Sequence, residues 1–190
     1  LIPGGAMAIE EPSYTVIAQK EKYEIRQYAK TLIAETTIAD NFENAGNKGF
    51  RILAAYIFGG NKAKTKIAMT APVSQTPQSE KIAMTAPVNQ LKSGGGYLVQ
   101  FTMPAKYSMD SLPEPNDTRV KIREVPARKV AVFRYSGSWS ESRYHEKLEE
   151  FLSLLKQDKL ATKGEPVLAR FNSPFQLWFL RRNEIWIETE

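Results

Sequence analysis

The sequence predicts an α+β fold built from a duplicated ββαββ unit, its two halves pairing their sheets face to face or edge to edge. Three observations predict it. Two stretches carry helix-start signals and a helical apolar stripe; two short alternating runs precede each of them; and an offset of 97 residues superimposes the two halves. Too few units recur for a solenoid, which needs at least three stacked repeats, so two sheets with helices packed outside are expected.

The first unit opens with Tyr23-Glu24-Ile25-Arg26-Gln27-Tyr28, whose apolar and polar side chains alternate in the strand period. Ile33-Ala34 marks a second strand. A helix is then expected from Asp40, with Glu43 three residues on as the reciprocal half of a capping box. Phe42, Ala45, Gly49, Phe50, Leu53, Ala54 and Ile57 fall on one face of it, and Gly59-Gly60 ends it. Two further strands are expected around Ile67 to Val88 and Tyr97 to Met103, with Gly94-Gly95-Gly96 as a hairpin turn.

The second unit repeats this order. Val120-Lys121-Ile122-Arg123-Glu124-Val125 falls on the first run, and Val130-Ala131 on Ile33-Ala34. A helix is expected from Ser138 with Glu141 as its partner, carrying Tyr144, Leu148, Phe151, Leu152 and Leu155 as its apolar stripe. Gly164 and Pro166 mark its far boundary, and strands follow at Val167 to Phe171 and Glu184 to Glu188. One domain is thus expected over 14–190, with halves of about 14–103 and 117–190 joined by a proline-containing connection. Residues 1–13 are expected as a flexible extension.

Composition limits the chemistry. At 190 residues, 42% hydrophobic and 25% charged, the chain is long enough to bury a core without staples. It has no cysteine and a single histidine, His145, which excludes disulfides, thiolate metal sites, cysteine nucleophiles and multi-histidine centres. The net charge of +5 favours anionic partners only where it is locally concentrated. Lys62, Lys64 and Lys66 read as a solvated loop and not a nucleic-acid patch, because no recognition motif accompanies them. The longest apolar run, Ile52 to Phe58, is far below the roughly eighteen residues of a membrane span. The compartment stays open between cytoplasmic and exported, and the oligomeric state is undetermined.

A shorter repeat lies inside the first unit: Lys66-Ile67-Ala68-Met69-Thr70-Ala71-Pro72-Val73 recurs letter for letter at Lys81 to Val88. In each copy Ile, Met, Ala and Val share one face of an extended strand. Pro77 in the spacer allows the copies to fold back as a hairpin, lining one wall with Met69 and Met84.

The Ile-Ala-Met-Thr-Ala-Pro-Val motif after a Gly-Gly-terminated helix, Tyr23-Glu24-Ile25-Arg26 near the start and Arg182-Asn183-Glu184-Ile185-Trp186 near the end together resemble the SOUL haem-binding protein family. The likeness runs from Tyr14 to Glu190, and the doubled motif with Glu124-Val125-Pro126-Ala127-Arg128 looks most like bacterial members. The resemblance implies two pseudo-symmetric halves forming a distorted, partly open β-barrel flanked by two helices, similar to gyrase-inhibitor-like domains that bind small hydrophobic ligands. It also implies reversible binding of haem or another tetrapyrrole. Aligned on Gly59-Gly60, the family positions that approach the propionates or ring edge fall on Lys48, Arg51 and Tyr56. One branch of the family is thought to use a histidine near the start of the barrel; here Tyr28 to Ala39 contains none. His145 lies on the second helix, about 75° from the centre of its apolar stripe, where it reads as a surface residue.

Haem needs an apolar slot and cations for two propionates. Leu53, Ala54, Ile57, Met69, Met84 and Met103 can line such a slot, although each can equally be plain core. Lys48 and Arg51, spaced i and i+3, can clamp two carboxylates or be ordinary exposed helix cations. No catalytic constellation is present: Ser136, Ser138 and Ser140 read as helix-capping residues, and Glu184 as an acid or base or as half of a buried ion pair with Arg181 or Arg182. The reading is therefore a non-enzymatic tetrapyrrole binder without an axial histidine. An enzyme acting on a tetrapyrrole or another hydrophobic ligand, or an interaction module with a filled barrel, is the alternative.

Overall fold

The computed structural model describes residues 9–64, 79–173 and 175–190. In chain order the elements are β1 (Tyr14–Gln19), β2 (Glu24–Tyr28), β3 (Thr31–Ile38), α1 (Phe42–Ile57), β4 (Asn61–Lys62), β5 (Val88–Ser93), β6 (Gly96–Thr102), β7 (Glu114–Pro115), β8 (Lys121–Val125), β9 (Arg128–Tyr135), α2 (Glu141–Gln157), β10 (Thr162–Arg170) and β11 (Asn183–Thr189). Nine strands form one antiparallel sheet, curled into a half-barrel, in the order β1-β2-β9-β11-β10-β5-β6-β3-β8, while β4 and β7 pair separately. Among the described residues no helix is long and apolar enough to cross a membrane.

This order reads the same outward from the β10/β5 contact: β11, β9 and β2 on one side, β6, β3 and β8 on the other. The bounds of β8 and β9 are those of β2 and β3 moved by 97 residues. Each half lends the strand that opens its repeat, β2 or β8, to the other half's sheet. Tyr28 of β2 pairs with Arg128 of β9, and Thr31 of β3 pairs with Val125 of β8.

Period-two alternation then sorts the side chains. One face of the second half packs Ala131, Phe133, Leu168, Ile185 and Ile187 against Phe151 and Leu155 of α2. The other face carries Tyr28, Val130, Val132, Val167 and Trp186. In the first half Ala34, Val99 and Phe101 meet Leu53 and Ile57 of α1. Here α1 lies close to the sheet, because a Cβ on Gly49 would stand 2.5 Å from a Val99 methyl.

Several expectations are corrected. The helix caps sit one and two residues later than the capping-box pattern suggested: Asn41 accepts from the Asn44 amide at 2.9 Å, and Ser140 accepts from the Arg143 amide at 3.3 Å. Asp40 is instead taken up by the Asn41 amide and by Lys48, and Ser138 by the Ser140 hydroxyl. On α1 Phe50 is exposed, and on α2 Leu152 is exposed. Helix α2 ends at Asp158 with Lys159 in the left-handed region (φ 53°), while Gly164 and Pro166 lie inside β10, where its register against β11 shifts. Residues 79–87 form no strand, and the first octad lies outside the described residues, as does the hairpin proposed for the two copies. Strand β1 was not anticipated; it is a largely exposed edge strand. Of the extension expected at 1–13, the part from Ile9 onward is described. There the Glu10 carbonyl accepts from the Ala86 amide, the Ser13 carbonyl accepts from the Ala29 amide, and Glu11 pairs with Arg182.

Candidate functional site

Helix α1 carries most of the residues expected at a ligand slot. Leu53, Tyr56 and Ile57 are at most 1% exposed, and they join Ala54 and the half-buried Met84 in a single core cluster. The Tyr56 hydroxyl donates to the Pro113 carbonyl at 2.6 Å, and burial pushes its pKa upward. These side chains fill the space beneath the helix. Lys48 and Arg51 stand on the exposed side, Lys48 paired with Asp40, and Arg51 with no hydrogen-bond or ionic partner among the described residues. Met69 lies outside the described residues.

A cleft of about 420 Å³ opens between residues 10–13, the β2–β3 turn and the segment after β6, with Leu32 and Met103 among its walls. Its size suits a small ligand. Its charge does not suit a dianion, since Glu10, Glu11 and Glu124 face a lone lysine, Lys30, which is itself 3.1 Å from Glu124.

The β10–β11 connection has the opposite character. Phe175, Leu177, Trp178, Phe179 and Leu180 are between 52% and 96% exposed, with Trp178–Leu180 in a single 3₁₀ turn. So much exposed apolar surface in one short segment is uncommon in a folded protein. The legs of this loop are held firmly. The Arg182 amide donates to Asn172 Oδ1 at 2.5 Å, and the Phe171 amide donates to the Arg182 carbonyl at 3.3 Å. The guanidinium of Arg181 lies 4.2 Å from the centre of the Trp139 ring, whose Nε1 donates to Asn183 Oδ1 at 2.8 Å. Arg170, the last residue of β10, approaches the same indole at 5.5 Å.

Sequence reasoning missed this loop. Its signal was a stretch of five large apolar residues interrupted only by Gln176, from Phe175 to Leu180, followed by two arginines.

Behind the loop lies a buried charge cluster. Glu184, fully buried on β11, accepts from Arg26 at 2.9 and 3.1 Å, from Arg182 at 3.0 and 3.1 Å and from Trp186 Nε1 at 2.7 Å. Arg26 also donates to the Tyr28 hydroxyl and to Glu24. Burial alone would lower the Arg26 pKa; the hydrogen bonds and charge of Glu184 outweigh it and raise it. Of the two roles open to Glu184, the ion pair is the one observed, with Arg26 as the partner that sequence did not supply. Ser140 is engaged as a helix cap, and His145 is half-exposed with Nε2 3.5 Å from Glu141. Among the described residues no cluster of three or more histidine, aspartate or glutamate side chains could hold a metal ion.

Known proteins agree with this fold. The chain is 28% identical over 188 residues to Heme-binding protein 2 of Homo sapiens, covering 96% of this chain and 87% of that protein. The Mus musculus counterpart is 27% identical over 186 residues, with 95% and 86% covered. Among solved structures, the EcmrR C-terminal domain superimposes with a TM-score of 0.56 at 11% identity, covering 93% of this chain and 98% of that one. A hydrolase from Listeria innocua gives 0.53 at 14% identity, covering 92% and 94%. At such identities the structures speak to the fold alone. The family model described as SOUL heme-binding protein matches residues 9–188, nearly the whole length, and this chain therefore belongs to that family.

Proposed function

We propose that this protein binds haem or a related tetrapyrrole without turning it over, and that no histidine ligates the iron. The observation that carries the reading is the exposed apolar loop at Phe175 and Leu177–Leu180, braced by arginines, in a chain of the SOUL family. A flat macrocycle gains from large apolar and aromatic surface, and its propionates gain from guanidinium groups. The loop supplies the first, and Arg170 and Arg181 at its foot supply the second. This shifts the ring from the slot beneath α1, where Leu53, Tyr56 and Ile57 are closed over, to the surface beside β10 and β11. A binding role without catalysis is supported by Glu184 being fully engaged and Ser140 being spent as a cap.

The test is a Soret titration with hemin. The wild type is expected to saturate at a defined stoichiometry, and Leu177→Ser/Trp178→Ser/Phe179→Ser to bind at least tenfold more weakly with an unchanged melting temperature. His145→Ala should leave the spectrum of the complex as it was. Equal binding by the loop variant, or uptake that never saturates, would remove the proposal.

A further inference from the structure

Resting on that reading, we infer that Arg170 anchors a carboxylate subsite at the foot of the β10–β11 loop, so that the ligand is selected by its acid groups and not by its iron. Three other arginines that are buried or half-buried come with counter-charges. Arg26 has Glu24 and Glu184, Arg128 has Glu188 at 3.8 Å, and Arg182 has Glu184 and Glu11. Arg170 has no carboxylate within ion-pair distance among the described residues, although burial pulls its pKa down to about 10.

Its position is built. Gln90 spends its Nε2 on the Phe42 carbonyl at 2.7 Å, which turns its Oε1 toward Arg170 Nη2 at 3.1 Å. The guanidinium rests against Gly46 of α1, where a Cβ would stand 2.8 Å from Nη2, and lies beside the face of Trp139. One neutral acceptor therefore orients a fork that carries five donors, and the charge itself is left unmatched. A buried unpaired charge is costly. A planar guanidinium held this way is suited to a carboxylate bound through two parallel hydrogen bonds. Arg181, over the same indole, adds a second positive charge next to the apolar tip of the loop.

The test compares three porphyrins by quenching of tryptophan fluorescence: hemin, metal-free protoporphyrin IX and its dimethyl ester. The wild type is expected to bind both free acids with similar affinity and the ester at least tenfold more weakly. In Arg170→Gln the free acids should fall to the level of the ester, with ester binding unchanged. Arg170→Lys keeps the charge without the fork, so it should fold even if the glutamine variant does not, and should show a reduced preference for the acids. An ester that binds the wild type as tightly as the acids, or full acid preference in a folded Arg170 variant, overturns the subsite and leaves tetrapyrrole binding intact. Binding of hemin alone, with neither iron-free porphyrin, also overturns it, because the iron would then be what is recognised. Failure of all three to bind the wild type overturns both proposals.

Discussion

Glu184 is the residue on which the interior of the sheet depends. It accepts five hydrogen bonds from three side chains that come from β2, the end of the loop and β11. Replacing it by glutamine keeps the shape but removes the negative charge that Arg26 and Arg182 share, leaving Glu24 to the first and Glu11 to the second. Glu184→Gln is therefore expected to cost about 1.5–3 kcal/mol of stability, read as a lower urea midpoint. A loss below about 1 kcal/mol would show that the cluster is hydrated in solution. Sequence showed Glu184 just after Arg181 and Arg182 and left its role open; of those two neighbours Arg182 does pair with it. Arg26, 158 residues away, reaches it only because β2 lies beside β9 and β9 beside β11. The same limit applies to the site: Lys48 and Arg51 were visible as an i, i+3 pair, but whether each had a counter-ion depended on how Asp40 turned at the start of the helix.

Elements were legible where their signals are local. Both helices, the glycine hairpin and the strands at Glu24–Tyr28 and Lys121–Val125 stand close to where the apolar periods placed them. Their ends were less so, because Asp40 and Asn41, or Ser138 and Ser140, are equally good capping chemistry within two residues. The structure decides between them, and a mutation pair checks it. Ser140→Ala is expected to lower stability by about 0.5–2 kcal/mol, whereas Ser138→Ala should stay within about 0.5 kcal/mol, both from denaturant melts. Equal effects would return the cap to Ser138. Strand β1 was missed because its exposed side chains carry no burial pattern, and the β10–β11 loop because an apolar run without a period is read as core by default.

At the scale of the whole molecule, the two halves exchange strands. Because β2 completes the sheet of the second half and β8 that of the first, cutting the chain near residue 116 takes β8 from β3 in one piece and β2 from β9 in the other, and parts β5 from β10. Fragments 9–116 and 117–190 are expected to be largely unfolded alone by circular dichroism and to regain strand signal when mixed. Independent folding of either fragment would contradict the exchange of strands. The 97-residue offset was readable in the chain, and so was the α+β class, since both follow from local period and spacing. What it could not carry was the exchange itself, the exposure of Phe175 and Leu177–Leu180, or the missing counter-charge at Arg170. Each of these depends on which distant surfaces meet, and a linear pattern reports what a residue prefers, while burial and pairing are settled only when the sheet closes around it.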